Sequence, residues 1–203
     1  MSENTPLPAG YSDVPAGHVA TVVTCLEMHT KPQLKAVPQP AGISLERFSG
    51  CDLLAYRQLF RKVGSDWLWF SRLLMSDEKL AEILRNDSVE IYVVRDGAED
   101  TGMLELDFSQ PHQCELSFLG LTGAATGKGL GRWVMNQAIT RAWSNPINRF
   151  WVHTCSFDHP AALNFYIRSG FTPYAFQVEV KADPRLSGHL PADAAPHVPL
   201  IRD

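Results

Sequence analysis

Cysteine is scarce in this sequence, and the few cysteines present do not form a motif. The 203 residues contain four of them, Cys25, Cys51, Cys114 and Cys155. Metal knuckles and redox motifs place two cysteines close together as CxxC, and no such pair occurs here. We therefore expect buried, reduced thiols, as in a cytoplasmic protein.

The chain also lacks a surplus of positive charge and a long apolar run. Lys plus Arg is 18 and Asp plus Glu is 22, so the formal net charge is −4. This balance offers no general attraction to nucleic acid or to an anionic membrane. No stretch approaches the roughly 20 apolar residues of a membrane span, and MSENTPLPAG has neither the basic nor the apolar region of a secretion signal. We expect a cytoplasmic protein without nucleic-acid or membrane partners.

The length and composition are those of a single globular domain. The chain has 203 residues, of which 45% are hydrophobic, enough to bury a core. We place a recognisable core at residues 43–181. An N-terminal extension, 1–42, carries one more strand, and a proline-rich tail, 182–203, is expected to pack irregularly.

Local patterns predict an α/β protein of the α+β type. β-branched or alternating segments predict strands at residues 18–28, 43–48, 89–94, 103–108, 114–121, 150–155 and 172–180. The strands between 89 and 121 should form an antiparallel meander. Three- and four-residue spacing predicts helices at 52–62, 67–75 and 77–85, a helix ending near 143, and one over 160–169. Asp66 and Asp77 are the expected N-caps of the second and third.

A glycine-rich loop, TGKGLGR at residues 126–132, lies between a predicted strand and a predicted helix. Glycines let the backbone approach an anion, and a helix N-terminus offers free N–H groups, so the loop suits a phosphate or pyrophosphate. A Walker A loop fails because Lys128 is followed by Gly129 and not by Ser or Thr. A GxGxxG dinucleotide fingerprint fails because its third glycine position holds Arg132. The spacing is GxGxG, which by itself is also compatible with a simple tight turn.

Two segments together resemble the Gcn5-related N-acetyltransferase (GNAT) family. TGKGLGRWVMNQAI resembles the family's coenzyme A loop, R/Q-x-x-G-x-G/A, with Thr126 in place of Arg or Gln. DHPAALNFYIRSGF resembles the second family motif, NxxAxxxYxxxGF, with His159 in place of Asn. Both motifs occur in the family's order.

The resemblance implies a mixed, mostly antiparallel sheet flanked by helices. It also implies that the family's fourth and fifth strands, here CELSFLGL and FWVHTC, splay apart to hold acetyl-CoA, and a right-handed crossover makes them parallel. Leu119–Leu121 should pair with the pantetheine arm, and the N–H groups of 127–132 should hold the pyrophosphate. The cofactor-binding residues implied are Leu119, Gly120, Leu121, Thr126, Gly127, Lys128, Gly129, Leu130, Gly131, Arg132, His159 and Ala162.

Acyl transfer to an amine requires a base for the amine and a proton for the leaving thiolate. Alternation puts Glu105 and Asp107 on one face of their strand, and Glu115 and Ser117 on one face of the next together with Leu119 and Leu121. Hairpin pairing should bring Asp107 near Glu115 and Glu105 near Ser117. Repulsion among these carboxylates would raise a pKa. Glu115, where several family members carry a catalytic Glu, is the preferred base, and a merely solvated acidic face is the alternative.

By resemblance, Tyr166 should protonate the thiolate, although core packing beside Phe165 also explains it. The acceptor pocket should involve Trp67, Trp69, Arg72, Glu105 and His153. Two tryptophans and an arginine suit an aromatic or carboxylate-bearing amine; a core helix with an Arg reaching solvent is an equal alternative. The seven histidines show no metal-ligand spacing, so no metal is expected.

The function predicted from the sequence is transfer of an acetyl group from acetyl-CoA to a primary amine, by direct attack through a tetrahedral intermediate. The acceptor is a small molecule or a peptide, and a longer acyl-CoA remains an alternative donor. A coenzyme A-binding or regulatory module without turnover is the alternative function. The oligomeric state is open, with a homodimer as one candidate.

Overall fold

A seven-stranded β-sheet forms the centre of the protein in residues 6–126 and 129–202, which the computed structural model describes. The elements follow in the order β1 (His18–Met28), β2 (Ile43–Arg47), α1 (Leu53–Gly64), α2 (Asp77–Arg85), β3 (Val89–Asp96), β4 (Glu99–Asp107), β5 (Gln113–Leu121), α3 (Leu130–Ala142), β6 (Arg149–Cys155), α4 (Ala162–Ile167) and β7 (Thr172–Ala182). Short 3-10 helices lie at Ser65–Trp67 and Gly123–Ala125.

The strands lie in the order β2-β3-β4-β5-β6-β1-β7. Neighbours are antiparallel except for β5 and β6, which are parallel. This confirms the predicted mixed sheet and the β3-β4-β5 meander. Strand β1, predicted as part of an N-terminal extension, lies inside the sheet between β6 and β7.

Each face of the sheet carries its own hydrophobic core. On the α3 face, α3 packs Val134 and Ala138 against Leu104 and Leu106 of β4. On the opposite α1 face, Tyr56, Phe60 and Val63 of α1 pack against Met103 of β4. Their three- and four-residue spacing gives α1 one apolar stripe, which is why the helix lies along the sheet. Residues from the C-terminal segment, Leu190, Ala194, Ala195 and Val198, complete the buried core on the α1 face.

Strands β5 and β6 separate after a short stretch of pairing. Pairs form only between Gln113–Glu115 and Arg149–Trp151. Beyond Glu115, residues 116–121 have no strand partner on the β6 side in the described chain. The predicted splay between these two strands is therefore confirmed, and it leaves a row of backbone N–H and C=O groups facing the gap.

A β-bulge interrupts the pairing of β4 with β5. Glu105 lies opposite Phe118, but the next residue, Leu106, lies opposite Leu116. Ser117 is the extra residue, and a bulge of this kind reverses the in-and-out alternation of one strand relative to its neighbour.

The bulge makes one sequence expectation wrong. Glu115 was predicted to share a face with Leu119 and Leu121, yet these two leucines pack on the α3 face. Glu115 lies between Cys114 and Leu116, which also belong to the α3-face core, so alternation places Glu115 on the α1 face. Asp107 lies opposite Glu115 as predicted.

The helix predicted over residues 67–75 is absent. The Trp loop, as we call residues 65–75, begins as a 3-10 turn and then reverses at Leu68, which has a left-handed φ of 51°. Leu68 and Leu73 are buried separately. Trp and Phe are weak helix formers, so burial of individual side chains decides the path of this segment.

Two helix boundaries also differ from expectation. Ser76, and not Asp77, caps α2 by accepting a hydrogen bond from the N–H of Lys79, while Asp77 pairs with Arg57 at 2.6 Å. Helix α4 covers only Ala162–Ile167 and not 160–169.

All four cysteines are free; Cys25 and Cys114 are buried, but Cys51 and Cys155 are only half-buried.

Candidate active site

A cavity of about 1000 Å³ occupies the gap between the diverging β5 and β6 strands. We call it the cleft. Its lining includes residues from both faces of the sheet, such as Leu119 on the α3 face and Val19 on the α1 face. Its walls come from β5, the start of α3, the end of β6, α4, and the Trp loop.

Seven of the cofactor residues predicted from the sequence line the cleft. They are Leu119, Gly120, Leu121, Thr126, Gly131, His159 and Ala162. Gly129 begins α3 with a φ of 77°, a conformation that glycine adopts without strain. Leu130 is buried in the core, so only its backbone can face a ligand. Gly127 and Lys128 lie outside the described residues.

The predicted cofactor residue Arg132 points away from the loop. Its Nη1 donates to Ser169 Oγ at 2.8 Å, and the guanidinium lies 5.1 Å from the Phe165 ring centre. Burial, together with the neighbouring Arg168, lowers the pKa of Arg132. Arg168 does line the cleft and was missed by sequence reasoning, because only the fold brings the end of α4 beside the start of α3.

Glu115 lies in the cleft wall on the α1 face. Burial, with a further contribution from the facing Asp107, raises the pKa of Glu115 from 4.5 to about 7. Glu105 adds to this rise and Arg72 opposes it. Nδ1 of His153 is 3.6 Å from Oε1 of Glu115, and the His153 side chain is 50% exposed. The carboxyl group of Glu115 therefore lies between the buried side of the cleft and His153, whose side chain reaches solvent.

Glu105, which the sequence grouped with Asp107 and Glu115, lies behind the cleft wall. Its side chain is fully buried. It accepts hydrogen bonds from the Tyr56 hydroxyl at 2.7 Å and from Nη2 of Arg72 at 2.5 Å. Burial, together with the Glu105 charge, raises the pKa of Tyr56 well above its ordinary value. Glu105 is thus held as a paired carboxylate, and Tyr56 is a partner that sequence reasoning missed.

Arg72 faces the cleft but its charge is already compensated. It pairs with Glu105 and lies 5.1 Å from the Phe118 ring centre. The expectation that Arg72 binds a substrate carboxylate is weakened, because such a group would compete with a buried ion pair.

Tyr166 lines the cleft from α4. Its ring packs edge-on against Phe165 and Phe171, with centroids at 5.8 and 5.9 Å. Burial, with a smaller effect of Asp158, raises the pKa of the Tyr166 hydroxyl. The phenol thus stays protonated at neutral pH, so packing and a role as proton donor are compatible in this residue.

Trp67 and Trp69 of the Trp loop line the cleft together with Phe118. The Trp67 ring lies 5.1 Å from the ring of His159. Trp69 donates its indole N–H to Oδ1 of Asp158 at 3.2 Å. Asp158 directly precedes His159, the first position of the second family motif, and that adjacency was the one signal in the sequence that pointed to it.

Across residues 6–126 and 129–202, no group of three or more His, Cys, Asp or Glu side chains could hold a metal ion. Within the same ranges, no helix is both long and apolar enough to cross a membrane.

Comparison with known protein families agrees with this geometry, in which two strands splay apart beside a helix that begins at a glycine. The profile of the acetyltransferase (GNAT) family matches residues 56–171, more than half of the chain. This chain belongs to the GNAT acetyltransferase family. No curated protein matches the sequence.

Solved GNAT structures share the fold at low identity. A GCN5-related N-acetyltransferase from Sphaerobacter thermophilus has a TM-score of 0.57 at 13% identity, over 81% of this chain and 53% of that chain. An aminoglycoside acetyltransferase from an uncultured soil metagenomic sample, solved with sisomicin, has a TM-score of 0.53 at 16% identity, over 64% of this chain and 88% of that chain. A GNAT family acetyltransferase from Elizabethkingia anophelis with acetyl-CoA bound has a TM-score of 0.51 at 16% identity, over 67% of this chain and 80% of that chain. These likenesses support the fold of this GNAT chain.

Proposed function

We propose that this GNAT protein transfers an acetyl group from acetyl-CoA to a primary amine by direct attack, with Glu115 as base and Tyr166 as acid. The observation that carries the proposal is the position of Glu115. It lines the cleft where β5 leaves β6, and its pKa is about 7. A carboxyl group with such a pKa is suited to accept and release protons near neutral pH.

The cleft fits acetyl-CoA. The β5 backbone at Leu119–Leu121 has no strand partner on the cleft side in the described chain, so its N–H and C=O groups are available to an extended amide-bearing arm. The first N–H groups of α3 have no partner within the helix and suit the pyrophosphate. Arg168 adds positive charge at this edge. When bound here, acetyl-CoA supplies the acetyl group as a thioester.

The side chains supply the proton transfers. A lysine-like amine has a pKa near ~10.4 and must lose a proton before its nitrogen can attack. Glu115 accepts that proton, and His153 at 3.6 Å offers a path for it to solvent. The nitrogen then adds to the thioester carbonyl to give a tetrahedral intermediate, which loses a second proton from nitrogen to solvent before its C–S bond breaks. The Tyr166 hydroxyl protonates the departing thiolate, so the products are an amide and free coenzyme A.

The charge around Glu115 favours a cationic acceptor. Asp107 and Asp158 also line the cleft, while Arg72, the cation whose charge acts on Glu115, is neutralised by Glu105. A small amine with a second positive charge would relieve this excess of negative charge. One fold neighbour is an aminoglycoside acetyltransferase solved with sisomicin, so polyamines and aminoglycosides belong in the first screen, beside peptides with a free amine.

Calorimetric titration tests the proposal first. We expect acetyl-CoA to bind, and NAD and ATP not to bind; longer acyl-CoA compounds in the same series identify the preferred donor. Release of free thiol is then measured with putrescine, spermidine, sisomicin and lysine-containing peptides. Turnover with a cationic amine supports the enzyme. Binding without turnover on any of these amines would favour a coenzyme A-binding module, and no binding to folded protein would contradict both.

We also propose that residues 1–203 act as one acetyltransferase domain. Strand β1 is an inner strand of the sheet, and the C-terminal segment contributes buried residues to the α1-face core. The protein used in these experiments therefore needs to include both strand β1 and the C-terminal segment.

A further inference from the structure

Trp69 connects the two sides of the cleft. Its ring packs against Phe118 of β5, with centroids 5.2 Å apart. Its indole N–H donates to Asp158, three residues beyond the end of β6, at 3.2 Å. The two strands no longer pair at this level, so this one side chain spans the gap between them.

On the β5 side, two glycines leave the space that the Trp69 side chain occupies. A Cβ added at Gly120 of β5 would lie 2.5 Å from Val63 Cγ1 and 2.8 Å from Trp69 Cη2. A Cβ at Gly64, the last residue of α1, would overlap the Cβ of Trp69. Contacts this close do not occur between real carbon atoms. The indole therefore rests directly on the backbone of β5 and of α1.

On the β6 side, the Asp158 carboxylate that accepts the hydrogen bond from Trp69 is also held in place. Oδ2 of Asp158 accepts hydrogen bonds from the Thr154 hydroxyl at 2.7 Å and from the backbone N–H of Cys155 at 2.8 Å. Both donors lie at the end of β6, so the carboxylate cannot shift without losing them. Trp69 thus links one rigid strand to the other.

We infer that Trp69 is a positioning residue that holds β5 and β6 at the separation needed by the pantetheine arm of the donor. This inference rests on the proposed function, because it assumes that acetyl-CoA occupies the cleft. Trp69 lies in the Trp loop, and the contacts described above join it to β5, to the end of α1 and to Asp158. Its action is on the arm, which lies between the strands, and not on the nucleotide end, which the start of α3 would hold.

The test compares a ligand that has the arm with one that lacks it. Trp69→Phe keeps a ring in the same space but removes the hydrogen bond to Asp158. We expect the Kd for acetyl-CoA to rise about tenfold, the worth of one hydrogen bond to a charged group. The Kd for 3′-phospho-ADP, the nucleotide end without the arm, should not change. Both are measured by calorimetry on the full chain.

Trp143→Phe is the matched control. The indole N–H of Trp143 is buried without a hydrogen-bond partner in the described part of the chain, so this substitution removes no such bond and should leave both Kd values unchanged. Asp158→Asn is a second variant for the case in which Trp69→Phe does not fold. It weakens the hydrogen bond between Trp69 and Asp158 by changing the acceptor. It should therefore also raise the Kd for acetyl-CoA and leave the Kd for 3′-phospho-ADP unchanged.

The outcomes separate the two proposals. Acetyl-CoA affinity equal to wild type in the Trp69 variant, or an equal loss for both ligands, would overturn the positioning role. Failure of the wild-type protein to bind acetyl-CoA would overturn the proposed function and this inference with it. A selective loss of acetyl-CoA affinity supports both.

Discussion

The three carboxylates that the sequence grouped together differ in their hydrogen bonds. Glu105 accepts from Tyr56 and Arg72, and Oδ1 of Asp107 accepts from the N–H of Ser109 at 2.7 Å. Glu115 is held by no comparable donor in the described residues; the approach of His153, at 3.6 Å, is longer than a hydrogen bond. Because no hydrogen bond compensates its burial, the pKa of Glu115 rises, and the charge of Arg72 opposes that rise only in part.

Replacing Glu115 with Gln tests its role as base at the residue scale. We expect kcat to fall by about 100-fold or more, the usual worth of a positioned base, with the Kd for acetyl-CoA unchanged. The wild-type rate should rise with pH through about 7, because the carboxyl group whose pKa is raised to about 7 must lose its proton before it can act. The variant should lack that step in its pH profile.

Glu46→Gln serves as the control, because Glu46 is exposed and pairs with Arg95 far from the cleft wall. Its rate and pH profile should match those of the wild type. Unchanged turnover in Glu115→Gln would remove Glu115 as the base and make Asp107, which lies opposite it and also lines the cleft, the next candidate.

At the scale of elements, β5 and α3 carry the binding geometry. The bulge at Ser117 turns Leu119 and Leu121 to the α3 face while Glu115 stays on the α1 face. In the proposed reaction, one strand then faces the donor with its backbone and the acceptor with a side chain. Helix α3 follows β5 after a short 3-10 helix, and Gly131 in its first turn lines the same gap.

Gly129→Trp tests the loop at the start of α3. Apart from its chain neighbours, no atom of the described residues lies within 4 Å of a Cβ built at this position, so the domain should fold. The indole would occupy the space in front of the first helical N–H groups, and we expect no measurable binding of acetyl-CoA by calorimetry. Gly129→Ala carries the same backbone strain of about 1 kcal/mol without the bulk, and should bind. Equal binding by both variants would show that the pyrophosphate is held elsewhere.

At the scale of the whole molecule, the C-terminal segment is held by one buried ion pair. Nη2 of Arg185 is 2.7 Å from Oδ2 of Asp183. The same guanidinium donates to the carbonyl oxygens of Ala194 at 3.2 Å and Val198 at 2.8 Å. Burial alone would raise the pKa of Asp183, but its hydrogen bonds with Arg185 lower it. Arg185 thus folds an irregular, proline-rich segment onto the α1-face core.

Arg185→Ala should destabilise the protein by about 3–5 kcal/mol, because it leaves the Asp183 carboxylate buried without its partner. Thermal and urea unfolding measure the loss. Replacing both residues, Asp183→Asn with Arg185→Met, should recover part of it, since no charge is then left unpaired. Arg202→Ala is the control, since Arg202 is exposed in the same segment. A single variant as stable as wild type would mean that the segment contributes little to the fold.

The sequence by itself determined the parts of this protein that depend on local patterns. β-branched and alternating segments located the strands, because side-chain alternation is a property of a few consecutive residues. Glycine spacing in 126–132 and the motif ending at Phe171 indicated the family, and with it the splayed sheet. Asp107 was placed opposite Glu115 because the turn at Pro111 sets the register of that hairpin.

The tertiary structure alone decided what depends on contacts between distant residues. The bulge at Ser117 follows from how β5 packs on both faces, and no alternation in CELSFLGL shows it. The Trp loop is not helical because Trp69 is seated between Gly64 and Gly120, and Gly120 is far away along the chain. Glu105 is removed from the cleft by Tyr56 and Arg72, from two other segments. Packing and charge pairing of this kind are set by the folded arrangement, so local sequence cannot determine them.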